Sequence, residues 1–209
     1  METTKLMLAA FFAALSGATP PGLVNMAVAR ISLEKDKRNG VFGALGASTV
    51  NLTHAFMGIL LAKYILDHPS VYRTILVIGM GVFGVLAVYF FAFPKKPKPK
   101  KNELTKKDSR LSFVKGFLVS SLNILPIPYF VFVSMSFSPT TGETFSWPQI
   151  LLFALSAFAG TFTMLYIYVS SFVKLEKRLK VFTQNANYFM GSLMVILFII
   201  TFIRVVHAG

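Results

Sequence analysis

Ser48, Asn51 and His54 stand three residues apart inside an apolar stretch. That spacing places them on one face of a helix. His54 is the only ionisable residue deep inside any apolar run of the chain. Histidine titrates near neutral pH, and an ionisable group within a membrane span is read first as a functional one. His54 is therefore a proton-coupling candidate. The other reading is a neutral imidazole bonded to a neighbouring hydroxyl, and the sequence leaves both open. The eight acidic residues are Glu2, Glu34, Asp36, Asp67, Glu103, Asp108, Glu143 and Glu176, all away from the middle of any apolar run. No paired carboxylates, metal-ligand cluster or nucleophile with a nearby base can be assembled from them. There is no cysteine, which removes thiolate metal sites, disulfides and thiol redox chemistry. Enzyme chemistry has no visible carrier, and no metal or cofactor is implied.

Two motif matches are discounted by their surroundings. GMGVFG at 79–84 fits the dinucleotide-binding pattern but lies inside an uncharged apolar run with no preceding strand. Close helix packing through small residues is the expected role there, and equally for Gly40, Gly43 and Gly46. Asn51-Leu52-Thr53 fits a glycosylation sequon but falls within an expected span.

The elements that must position these residues follow from composition. Of 209 residues, 55% are hydrophobic and 22 are phenylalanine. That exceeds what one water-soluble core can hide. Spanning about 30 Å of hydrocarbon takes roughly 20 apolar residues. Six segments meet that need: 6–31, 41–65, 74–93, 117–137, 150–173 and 181–203. The net charge of +13 is unevenly placed. Seventeen of the 21 basic residues surround the first, third and fifth connections, and Lys5, Lys63, Arg73 and Arg204 lie on the other side. The positive-inside rule then puts the odd loops in the cytoplasm and both termini outside it. The run PKKPKPKKNELTKK at 94–107 reads as a solvated topology-fixing loop that touches anionic lipid headgroups, not as a nucleic-acid site. METTK followed by LMLAAFFAAL has the outline of a signal peptide, but removing it would leave five spans, so the segment is expected to be retained.

Two of the six segments are interrupted. SGATPPGLVN at 16–25 sets Pro20, Pro21 and Gly22 inside the first, and SLNILPIP sets Asn123, Pro126 and Pro128 inside the fourth. Proline removes a backbone donor and clashes with the preceding turn. The chain divides into residues 1–94, a basic loop at 95–110, and residues 111–209. Each part holds three spans. An odd number of spans inverts the second part, so the expected fold is an all-α integral membrane protein of two inverted three-helix repeats. Broken helices in matching positions of such repeats are the best sequence pointer to a central binding site. Free amides and carbonyls at the breaks, together with Asn25, Asn123 and Tyr129, are the candidate solute-holding groups. Thr19, Pro128, Ser48 and Asn51 complete the expected pathway.

The order TPPGLVNMAVAR, EKDKRNG, VFGALGASTVNLTHAFMGILLAKYI, a lysine-rich loop, and GFLVSSLNILPIP resembles the lysine exporter superfamily of bacterial amino-acid efflux proteins across nearly the whole chain. The family's Pro-Gly-Pro becomes Pro20-Pro21-Gly22, its Asn-Pro-Lys becomes Asn123-Ile124-Leu125-Pro126, and Ser48 and Thr49 stand near its second-span acid. The resemblance implies export of an amino acid or derivative across a bacterial inner membrane. It assigns central pathway roles to Pro20, Pro21, Gly22, Asn123 and Pro126. The competing class is a non-transporting membrane assembly or interaction protein. Expected partners are a small-molecule substrate and membrane lipid, with a homodimer open and nucleic acid excluded.

Overall fold

The computed structural model describes residues 2–20, 22–92, 108–137 and 145–207. Pro21 and the lysines from Lys95 to Lys107 lie outside the described residues. The described residues form helices and no strands: α1 (Glu2–Gly17), α2 (Leu23–Glu34), α3 (Lys37–Asp67), α4 (Pro69–Ala92), α5 (Ser109–Ser121), α6 (Pro126–Ser136) and α7 (Trp147–His207). Lys37–Asp67 and Trp147–Ser171 are long and apolar enough to cross a membrane, and α5 with α6 forms a third candidate span bent by 72°. Shorter apolar helices cover Thr3–Gly17, Val77–Ala92 and Met194–Ile203. Leu8, Ile78, Val85, Leu118 and Ile196 stand exposed on these helices. Exposed apolar surface on this scale requires a lipid or protein cover.

Both expected interruptions are real breaks in the helices. The last turn of α1 tightens, with Thr19 N–H bonded to the Ser16 carbonyl at 3.0 Å. Helices commonly end before a proline because the residue preceding it is pushed out of the helical region, and Pro20 follows at once. The chain resumes at α2 with an extended Gly22 as N-cap, which supplies no side-chain bond to the first amides. In the second break α5 ends at Ser121, Asn123 N–H bonds the Ser120 carbonyl at 3.0 Å, and α6 restarts on Pro126. Proline suits the first helical position because that amide would lack an intrahelical partner anyway.

One expected connection takes a different form. A basic loop was anticipated around Lys174, Lys177, Arg178 and Lys180, but the backbone is helical throughout Trp147–His207. The segment KLEKRLK contains neither glycine nor proline and consists of strong helix formers. Nothing local stops the ladder of backbone bonds.

The chain forms two compact units, Met1–Lys63 with Lys100–Lys177, and Tyr64–Pro99 with Arg178–Gly209. In the first, α1 packs against α6 and α2 against α5. α3 lies so close to α5 that a Cβ on Gly46 would strike the Phe113 carbonyl, and one on Gly116 the Gly43 carbonyl. α7 lies equally close to α1, where a Cβ on Gly160 would strike the Phe11 carbonyl. Val28, Ala44, Ala47, Leu165 and Val169 join α2, α3 and α7 in a buried core. In the second unit, Gly84 faces Phe198 and Gly191 faces Phe91. Among the described residues nothing approaches Gly79 or Gly81, and Gly84 is the glycine of GMGVFG that packs closely there.

Candidate functional site

The two broken helices run alongside each other in opposite directions. The first half of one, α1, meets the second half of the other, α6, while α2 meets α5. This pairing brings the two breaks to a common level. α3 passes along the second broken helix in the same direction. Ala47 accepts a 3.2 Å bond from Ser120 Oγ before the break, and Gly58 sits against Ile127 and Phe130 after it. Residues 48–54 of α3 therefore lie beside the second break. α7 passes the first broken helix in the same way: Gly160 meets Phe11 and Ala14, and Tyr168 reaches Thr19.

At the first break, Asn25 is buried, and its amide donates to the Ala18 carbonyl at 2.6 Å and the Pro20 carbonyl at 2.7 Å. Both Asn25 donors are thus taken by backbone. The residue closes the end of α1 instead of offering those donors to a solute. The Tyr168 hydroxyl donates to the Thr19 carbonyl at 2.6 Å, and Thr19 Oγ1 bonds the Leu15 carbonyl at 2.9 Å. Pro20 is buried, whereas Thr19 and Gly22 are exposed.

At the second break, Asn123, Pro126, Pro128 and Tyr129 are half-buried. The Tyr129 hydroxyl donates to the Ala13 carbonyl at 3.2 Å and lies 3.5 Å from Ser16 Oγ. Its ring also faces Gly17. Tyr129 therefore ties α6 to the last turns of α1, just before the first break.

Between the breaks runs the α3 face. Ser48, Asn51 and His54 are all buried there, as their spacing predicts. Asn51 Nδ2 donates to Thr161 Oγ1 of α7 at 2.5 Å, which joins the two helices that flank the breaks. Ser48 Oγ and His54 Nδ1 are buried with no protein partner among the described residues. A buried polar atom without a partner costs about 1–3 kcal/mol, and native proteins keep few of them. Both lie on one helix face, on either side of Asn51. The arrangement acts through hydrogen bonding and backbone polarity.

Three contributors lie outside the expected pathway, Thr161 among them in the interhelical role its type suggests. Tyr168 closes the first break, Thr161 anchors Asn51, and a polar cluster of Lys35, Ser112, Asn39 and Asp36 joins the far ends of α2, α3 and α5. The first two carried a faint signal, since Thr161 and Tyr168 are seven residues apart and share a helix face.

The LysE type translocator family model matches residues 15–204, and the chain belongs to that family. Its members are transporters, which makes the chain a membrane translocator of amino-acid-type solutes. No curated protein and no solved structure matches it.

Proposed function

We propose that this translocator exports a small solute, an amino acid or a derivative of one, by alternating access around the two broken helices. The observation that carries this reading is the reciprocal pairing of α1 with α6 and α2 with α5. Two breaks at one level bring interrupted backbone together between the halves, with the Ala18, Thr19 and Pro20 carbonyls of the first held by Asn25 and Tyr168. Irregular backbone at membrane depth is stable only where protein or a wet cavity satisfies it. Ser48 Oγ and His54 Nδ1 add two side-chain groups ready for a solute or a proton. Asn123 and the backbone at Gly22 complete the solute contacts, while Asn25 and Tyr168 hold the break in shape.

The apolar segments of residues 1–94 and 111–209 act as two related membrane halves joined by the basic loop at 95–110, with 150–173 and 181–203 carried on the one helix α7 and not on two spans with a basic loop between them. Loops rich in Lys and Arg face the cytoplasm of a bacterial inner membrane, and both termini face away from it. His54 is the proton-linked group. In a cycle of this kind, the α2–α5 half and the α1–α6 half part in turn, exposing the centre first to one side and then to the other.

The test is efflux from proteoliposomes loaded with a panel of amino acids. Pro21→Ala and Asn123→Ala should each lower the flux of the transported solute at matched protein levels. Unchanged flux in both would reject the site. Absence of flux for every member of the panel would favour a non-transporting membrane assembly protein.

A further inference from the structure

Lys35 caps the C-terminus of α2 and is only 9% exposed. Its ammonium donates to Ser112 Oγ at 3.1 Å and reaches the Asp108 carbonyl at 3.5 Å, both on the first turn of α5 or its cap. Both acceptors are neutral. Ser112 Oγ lies 2.9 Å from Asn39 Oδ1 and 3.0 Å from the Asp108 carbonyl, and donates its single proton to one of them. The Asn39 amide then donates to Asp36 Oδ1 at 2.9 Å. Among the described residues a largely buried positive charge is thus held by neutral groups, with the Asp36 carboxylate reached only through a hydroxyl and an amide. Burying a charge is expensive unless it is well paired. Hydration offers Lys35 a competing state once the α2–α5 contact opens. A cation at a helix C-terminus is favoured by the helix dipole in either state.

The opposite half carries a counterpart. Tyr129 of α6 bonds the Ala13 carbonyl of α1, again by one side chain joining the halves of two different broken helices. Alternating access requires that the α2–α5 pair and the α1–α6 pair separate at different times. We propose that Lys35–Ser112 and Tyr129–Ala13 are the two latches of this cycle, each holding one half shut and each released separately. This rests on the transport reading for its purpose but not for its test.

Because the chain has no cysteine, an introduced one is its sole thiol. Ile31, at the α2–α3 contact beside Gly43, is 1% exposed, and Ala10 on α1 is fully buried. Full-length protein bearing Ile31→Cys or Ala10→Cys is placed in sealed vesicles of each orientation and treated with a membrane-impermeant maleimide. Lys35→Met removes the donor at similar length and should raise labelling of Ile31→Cys about tenfold, the low end for losing a bond to a charged group, from the Lys35 side only. It should leave Ala10→Cys unchanged. Tyr129→Phe should do the reverse, raising Ala10→Cys labelling about fivefold from the other side. Lys35→Arg, which keeps a donor, should label Ile31→Cys close to the parent rate. No rise at Ile31→Cys in Lys35→Met would overturn the proposal. So would an equal rise at both cysteines, which marks Lys35 as a structural bolt whose loss loosens the whole fold. Side-selective labelling in a protein that moves no solute would reject transport and retain the latches.

Discussion

The two breaks do the same thing by different chemistry. The first is held by side chains from elsewhere: Asn25 bonds two carbonyls at the end of α1, and Tyr168 bonds a third from α7. The second is set by its own backbone, with Pro126 starting α6 after a 72° bend. Proline needs no partner to open a helix at its first position, whereas the buried and part-buried carbonyls at the first break need donors. The comparison teaches that the first break depends on packing with α7, while the second is largely local. A central element that depends on a neighbour can be moved by that neighbour.

Substitutions sharpen this contrast. Asn25→Ala leaves two carbonyls without their donor and should lower stability by about 2–3 kcal/mol, read as a drop in melting temperature in detergent. Tyr168→Phe removes one hydroxyl bond and should cost about 1 kcal/mol. Pro126→Ala should cost least, about 0.5 kcal/mol, since a first-turn proline contributes mainly preset backbone geometry. If Pro126→Ala proved more damaging than Asn25→Ala, the division into a packed break and a local break would fail.

Much of this architecture was legible in advance because its causes are local. Pro20 follows the end of α1, Gly22 caps α2 and Pro126 opens α6, each through its own covalent structure, and both breaks fall where those residues predict. The three-residue spacing of Ser48, Asn51 and His54 placed them together on a buried face for the same reason. What escaped notice is long-range. Tyr168 and Thr19 are 149 residues apart, and Lys35 and Ser112 are 77 apart. Nothing in either neighbourhood advertises the other. The expected loop at 174–180 failed in a different way: charge suggested a loop, but charge does not break a helix when every residue favours one. Asn25 was placed at the right break, but its donors serve the backbone, a distinction that only geometry could make.

The centre should behave unlike either break. Ser48 Oγ is buried with no partner among the described residues. Sites kept for function commonly cost stability. The most direct measurement is solute efflux from proteoliposomes containing Ser48→Ala at matched protein density. The account predicts a several-fold fall in efflux from a protein at least as stable as the parent, since removing an unsatisfied hydroxyl is neutral or stabilising by about 1 kcal/mol. Efflux equal to that of the parent protein would contradict it, and would place the solute path away from the α3 face between the two breaks.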